Sequence, residues 1–478
     1  MEIKNKLRNF LEIPYDQLEK MNLLAVKKAK TTSPAELETE YRMYLKKEKR
    51  IKAVTICFSD IEGRFHMLDY DKAFLLKSAD NLTFDGSSIR GFSSLKESDL
   101  RLQIDWPTLR HLPADIFGSG KIIIFAFILT NDKKPHPSDF RGMLGLYSNQ
   151  LSRKRNIIGF VSAEVEGFVV DGVEAEEHYN VFKGFKLISS GGYYHSLPLD
   201  KLKMFIDKAA EAQRAMAFQN EKDHPEVAPS QFELNFSYSD ALSACDKIQL
   251  YKLVCRQIAA NMQMTATFLP KPISGINGSG MHLNFSLQKD GKNIFFDKKG
   301  KDSLSKTAWD GISKILNHAQ EISLILNSSV NSYRRLDPAF EAPNQIKVSS
   351  KDRGSMVRIP TFNKETARIE IRSVAPDANP YLVAFTVLKT ITEGRKLQKE
   401  KNKRERLSYL PGNINDAIKI FRSSEFTTKI IGEETKNKYI QFKQAAADRS
   451  PKELGAKVKR SEIIYHHEIT NQMLWNDF

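Results

Sequence analysis

"ARIEIRSV", residues 367–374, is the stretch on which the reading of this chain turns. Arg368, Glu370 and Arg372 alternate with Ile369 and Ile371. Alternation predicts a strand, because successive side chains leave a strand on opposite faces. One face is apolar; the other carries two fixed positive charges around one carboxylate. Taken alone, this is an ordinary solvated face with a weak cross-pair. A charged wall facing a metal and a polyanion is the sharper alternative, and the neighbouring segments decide between them.

Three other segments share the pattern. "SAEVEGFVV", 162–170, puts Glu164 and Glu166 on one strand face with Val165 behind them. "EVAPSQFELNF", 226–236, places Glu226 in a turn and Glu233 on a strand whose Phe232, Leu234 and Phe236 point the other way. "MHLNFSL", 281–287, sets His282, Asn284 and Ser286 opposite Met281, Leu283, Phe285 and Leu287. Four polar faces built from ligand-type residues favour convergence on an interior funnel. Five carboxylates and one imidazole form a hard, oxygen-rich donor set, suited to Mg²⁺ or Mn²⁺ rather than structural zinc. Carboxylates crowded without cations would repel one another; two or more divalent cations relieve this and leave positions for phosphate oxygens.

Arginines follow closely. Arg335, Arg353, Arg358, Arg368 and Arg372 fall in one short stretch that also holds Glu341, in "NSYRRLDPAFEAP". A guanidinium forks onto carboxylate or phosphate and keeps its charge. Beside acidic metal ligands, such a group suits a transferring phosphoryl. "GINGSG", 275–280, is a glycine-rich loop whose backbone can approach a ligand.

Composition narrows the classes. The 478 residues allow two or more domains, and 41% hydrophobic with 27% charged residues is ordinary for a globular chain. The longest apolar run, "IIIFAFIL" at 122–129, is too short to span a bilayer and predicts a buried strand. "MEIKNKLRNFLEI" does not read as a signal peptide. Three cysteines without metal spacing predict no disulfide framework and a cytoplasmic location. The net charge of +15 is spread along the chain, with denser runs at 45–52 and 395–406 that read as solvated helix faces or linkers. No zinc-finger, RNA-binding or basic-zipper spacing accompanies it, so neither nucleic acid nor membrane is an expected partner.

The order of patterns predicts an α+β chain in three parts. Residues 1–48 form a helical extension, with an apolar stripe at Ile3, Leu7, Phe10 and Leu11 and a helix start at Ser33–Pro34. Residues 49–135 form a small β-rich domain with strands at "IKAVTICF", "EGRFHML" and "KIIIFAFILT". Residues 136–478 form the larger domain, with its clearest helices at 241–266, 306–327, 379–400 and 432–446 and a helical tail.

Together "FDGSSIRGF", "EVAPSQFE", "KPISGINGSGMH", "NSYRRLDPAFEAP" and "RIEIRSVAPDANPYL" resemble the glutamine synthetase family of the bacterial type, in that family's order, across roughly 50–400. The resemblance implies a β-grasp-like N-terminal domain and a catalytic domain with a curved antiparallel sheet, a half-barrel funnel flanked by helices. It implies glutamine formed from glutamate, ammonia and ATP through a γ-glutamyl phosphate. It implies one cation held by Glu166, Glu226 and Glu233 and a second by Glu164, His282 and Glu370. Asn277, Gly278, Arg335 and Arg372 would hold the amino acid, with Glu341 as the flap carboxylate that shields the intermediate from water. Arg353 and Arg358 would contact ATP phosphates, Arg353 also lying near the transferred group. Glu221, Asn284, Ser286 and Arg368 fall on the nucleotide side. Asp85 would bind and deprotonate ammonium, reaching the site from a neighbouring subunit in stacked hexameric rings, a dodecamer.

The chain departs from the family at Ile276, at Asn284, at Pro225 and in "SSKDRG", at the rims of the glutamate and nucleotide sites. A γ-glutamyl ligase acting on an organic amine and a non-catalytic regulatory member are the alternatives to an ammonia ligase. The extension at 1–48 is expected to be solvated or to pack in an oligomer.

Overall fold

The computed structural model describes residues 11–93, 98–175, 184–397 and 407–452. Ile3, Leu7 and Phe10 of the expected N-terminal stripe, part of the 395–406 basic run and the last residues of the expected tail lie outside them.

A helix over Tyr15–Thr31 precedes one over Pro34–Lys47. The second begins where Ser33–Pro34 predict. The Ser33 side chain accepts from the Glu36 N–H, Glu36 reciprocates at the Ser33 N–H, and Pro34 fills the first turn. Next comes a six-stranded sheet. Its order is Phe65–Asp71, Ala53–Ser59, Ile122–Leu129, Asp99–Ile104, Leu82–Asp85, with Arg110–His111 pairing the third. The pair Ala53–Ser59 and Ile122–Leu129 is parallel and the remaining pairs are antiparallel. The unbroken apolar run now has its reason: both faces of this strand are covered. Ile122, Ile124, Ala126 and Ile128 pack under helix Pro34–Lys47 with Leu37, Tyr41 and Leu45. Ile123 and Phe125 turn the other way and join the main core with Phe140 and Leu144.

The larger sheet has ten strands. Its main path runs Gln345–Ser349, Ser355–Arg358, Ile369–Ile371, Met281–Lys289, Ile157–Asp171, Gln231–Phe236, Asn220–Pro225. The sheet is curled into a half-barrel, as expected. Its convex face is apolar: Val161, Ala163, Val165, Leu283, Phe285, Ile369 and Ile371 are all buried in one core with helices Ala241–Asn261, Lys306–Leu326 and Pro380–Glu393. Three helices differ in their bounds from the sequence reading. The 241–266 helix stops at Asn261, and Met264–Thr267 pairs antiparallel with Phe168–Asp171. Between them Gln263 takes φ +60°, ending the helical path. The 379–400 helix covers Pro380–Glu393 and stops at Gly394. The expected 432–446 helix is longer, Glu433–Lys452.

Buried polar groups lock the two sheets together. Arg141, 1% exposed, forks onto Asp246 with bonds of 2.8 and 2.7 Å and reaches Asp105 at 2.7 Å. The Tyr381 hydroxyl donates to the same Asp246 at 2.7 Å. The N-terminal helix is not merely solvated. The buried Asn22 amide donates to the carbonyls of His111 and Ala215, at 3.0 and 2.8 Å, and accepts from the His111 N–H. This helix therefore clasps the small sheet to helix Lys201–Ala215 of the larger part. The three cysteines are buried and free, as their spacing suggests. Among the described residues, no helix is long and apolar enough to cross a membrane.

Candidate active site

Strand register brings the predicted residues together. Glu164 lies opposite His282, Asn284 opposite Glu370, and Glu370 opposite Arg358. On the other side of the long central strand, Glu166 lies opposite Glu233 and Glu233 opposite His224. Since alternate residues share a face, these pairings put one row of ligand-type side chains across the concave sheet.

Two groups form. Glu164, His282 and Glu370 offer ligand atoms within 4.8 Å of one another. His282 Nδ1 is 3.7 Å from Glu164, 3.8 Å from Glu166 and 3.9 Å from Glu370. The second group is His224, Glu226 and Glu233. Glu166 stands between the groups. It accepts from the Gly280 N–H at 2.8 Å and the Gln231 amide at 3.3 Å, while its other oxygen faces His282. Sequence reasoning missed His224. The signal was available: it sits two residues before Glu226, and pairing with the Glu233 strand turns it inward. Its Nδ1 bonds the Pro225 carbonyl at 3.0 Å, and its Nε2 lies 3.7 Å from Glu233. Gln231 was also missed; its amide ties Glu166 to Gly278 O and Ser279 Oγ.

The donor set fits divalent cations. Burial, then repulsion from Glu166, pushes the Glu226 carboxyl up to about 8, and the same causes push Glu233 well above the usual carboxylate range. Burial would raise Glu164 too, but hydrogen bonding and attraction to His282 hold it down. Acidic groups this close need countercharge, and carboxylate oxygens with imidazole nitrogen suit Mg²⁺ or Mn²⁺.

The opening segment is now explained. Glu370 is 1% exposed, so its face is interior and not solvated. Arg358 donates to one of its oxygens at 2.8 Å, and Arg372 Nε lies 3.2 Å from the other. Arg368 donates to Asn284 Oδ1 at 3.1 Å, and Asn284 in turn donates to Glu164 at 3.0 Å. Ser286 continues the same face, opposite Phe160. Arg372 also donates to the Arg353 carbonyl.

The loops contribute the rest. Asn277 donates to Glu341 at 3.4 Å, and Arg353 lies 3.5 Å from the other Glu341 oxygen. Glu341 holds φ +61°, a left-handed conformation that costs energy outside glycine and is common where a loop is shaped for function. Arg335 does not face open space as a substrate arginine would. It is 3% exposed, bonds the carbonyls of Val374 and Arg372, and sets Nη2 3.3 Å from His282 Nε2. Gly280 permits this. A Cβ there would lie 2.5 Å from Arg335 Nη2 and 2.7 Å from His282 Nε2. Gly280→Ala should therefore displace His282 and weaken Mn²⁺ binding by roughly 10–100-fold, measured by calorimetric titration.

Two residues stay apart from the groups. Glu221 is exposed on strand Asn220–Pro225, beside a register shift. Asp85 is exposed at the end of its strand, and its carboxylate accepts from Ser87 and Ser88 within its own turn. At the funnel's rim Tyr193 and Tyr194 stack at 3.8 Å, and both meet the His224 ring edge-on.

Comparison with known proteins agrees with this geometry. Residues 139–457 match the family model for the glutamine synthetase catalytic domain, and 50–130 match that for its β-grasp domain. Glutamine synthetases of Staphylococcus epidermidis and Staphylococcus aureus are each 34% identical over 422 residues, covering 84% of this chain and 92% of the relative. Among solved structures, Plasmodium falciparum glutamine synthetase superposes with a TM-score of 0.77 at 22% identity, covering 88% of this chain and 98% of that one. GmaS in complex with ADP gives 0.74 at 24%, covering 88% and 99%. Fold, matched domains and curated relatives converge: the chain belongs to the glutamine synthetase family.

Proposed function

We propose that this protein is an ATP-dependent ligase that makes glutamine from glutamate and ammonia. The observation that carries the reading is the meeting of both acidic groups and the arginine wall on one concave face. Glu164, His282 and Glu370 would hold one cation. Glu226 and Glu233, with His224 beside them and Glu166 between the groups, would hold another. When bound, the cations would neutralise phosphate oxygens.

The chain's own residues do the rest. Arg353, Arg358 and Arg368 neutralise the phosphates, and Asn277, Gly278 and Arg372 hold the amino acid, with Arg335 set behind them against His282. The glutamate γ-carboxylate oxygen bonds the γ-phosphorus of ATP as ADP leaves. The amine nitrogen then attacks the acyl carbon, and phosphate departs. Asp85, contributed by a neighbouring copy in a ring assembly, takes the proton from the ammonium nitrogen. Glu341, across from Asn277 and Arg353, keeps water off the acyl phosphate. Glu221, Asn284 and Ser286 line the nucleotide side.

One observation favours a second reading. The stacked Tyr193–Tyr194 pair offers an aromatic surface beside His224, where the carbon chain of an organic amine could lie. Phosphate release from ATP and glutamate, with Mg²⁺ or Mn²⁺, separates the two. Ammonium should support turnover at least tenfold above putrescine or ethylamine. The reverse order replaces the ammonia ligase by a γ-glutamyl amine ligase, and no turnover with any amine removes both.

A further inference from the structure

Lys271 stands at the root of the glycine-rich loop and is 1% exposed. The buried Asn331 amide clamps its backbone, accepting from the Lys271 N–H at 2.6 Å and donating to its carbonyl at 2.9 Å. The loop closes at the same root, where the Ser279 N–H donates to the Pro270 carbonyl at 2.8 Å. Gly278 leaves room for the long side chain: a Cβ there would lie 3.3 Å from Lys271 Cδ. At its far end the ammonium donates to the Ile276 carbonyl and stands 3.8 Å from the centre of the Phe340 ring.

Those two contacts belong to different loops. Ile276 precedes Asn277 and Phe340 precedes Glu341, so one ammonium meets the residue before each member of the Asn277–Glu341 pair. That pair is itself joined by a long bond of 3.4 Å, and Arg353 approaches Glu341 only to 3.5 Å. A cation over an aromatic face is held more strongly when water is excluded, so the buried ammonium is the firmer link. Burial pushes the Lys271 pKa down to about 8, with Asp337 pulling it up and Arg335 pushing it down, so the ammonium is the main form at pH 7.

We propose that Lys271 is a positioning residue that ties the glycine-rich loop to the Phe340–Glu341 turn and so keeps the cover over the reacting carboxyl closed. This role rests on the ligase reading above, and Lys271 acts through Glu341 rather than on the reacting atoms. With the tie cut, a water oxygen bonds the acyl carbon, phosphate leaves and glutamate is regenerated. ATP is then cleaved without an amide being formed.

Phosphate released per amide formed tests this at pH 7, with ATP, glutamate, Mg²⁺ and whichever amine the wild type accepts. The wild type should release about one phosphate per amide. Lys271→Met keeps the length without the charge and should raise that ratio roughly threefold or more, as should Phe340→Leu, which removes the ring. Phe340→Tyr keeps an aromatic face and should restore the wild-type ratio. A defect of packing alone lowers turnover and leaves the ratio unchanged, and that result overturns the proposal. Amide hydrogen exchange reads the tie without turnover. Residues 275–280 and 337–343 should exchange roughly fivefold faster or more in Lys271→Met and in Phe340→Leu, and unchanged exchange also overturns the proposal. Phe340 is only half-buried, so its variants carry both measurements should Lys271→Met misfold. A wild type that forms no amide removes the ligase reading, while the exchange measurement still decides the tie.

Discussion

Glu370→Ala should lower ligase turnover by roughly a thousandfold, the scale of losing a preorganised charge in an active site. Three dependencies meet at this one side chain. Its oxygens face His282, pair with Arg358 and approach Arg372. Without the carboxylate, one acidic group loses a ligand and two guanidiniums lose their shared countercharge. Phosphate release at saturating Mn²⁺ measures the turnover, and calorimetry measures cation affinity directly. Glu370→Gln keeps the shape and one acceptor oxygen, so it should fold like the wild type yet bind Mn²⁺ weakly. Wild-type turnover in Glu370→Ala, with the fold verified by circular dichroism, would remove this site from the mechanism.

Arg141→Met should cost about 3–5 kcal/mol of stability, because removing one member of a buried ionic group strands the others. Here Asp246 loses both bonds of its fork and Asp105 loses its partner. The rings of Phe125 and Phe127, which face the guanidinium at 5.0 and 4.5 Å, lose a cation as well. Urea denaturation gives the change from the midpoint at constant slope. A loss below about 1 kcal/mol would mean that water reaches the carboxylates and that the seam is looser than its burial implies.

Much of this site was legible because strand alternation is a local property. Glu164, Glu166, Glu233, His282 and Glu370 each stand in an apolar–polar alternation, and the apolar partner reports which way the polar one points. What alternation cannot give is register, which depends on contacts across the chain. His224 became a group member only when its strand paired with Glu233. Arg335 reads as a substrate arginine from its type and motif, yet its guanidinium is spent on carbonyls and on His282. The strand at Met264–Thr267 hid inside a helical periodicity because short apolar runs suit either structure until a partner strand decides. The seat of helix Tyr15–Thr31 could not be read from the sequence, since that seat includes Ala215, far along the chain.

That separation has a consequence for synthesis. Asn22 leaves the ribosome 193 residues before the carbonyl that it must reach at Ala215. Until then the N–H that meets Ala215 stays hydrated, although His111 is already made, and the first described helix has nothing to lie against on that side. Docking of this early-made helix is thus a late event in biogenesis, and a nascent chain halted before residue 215 should leave it open to protease.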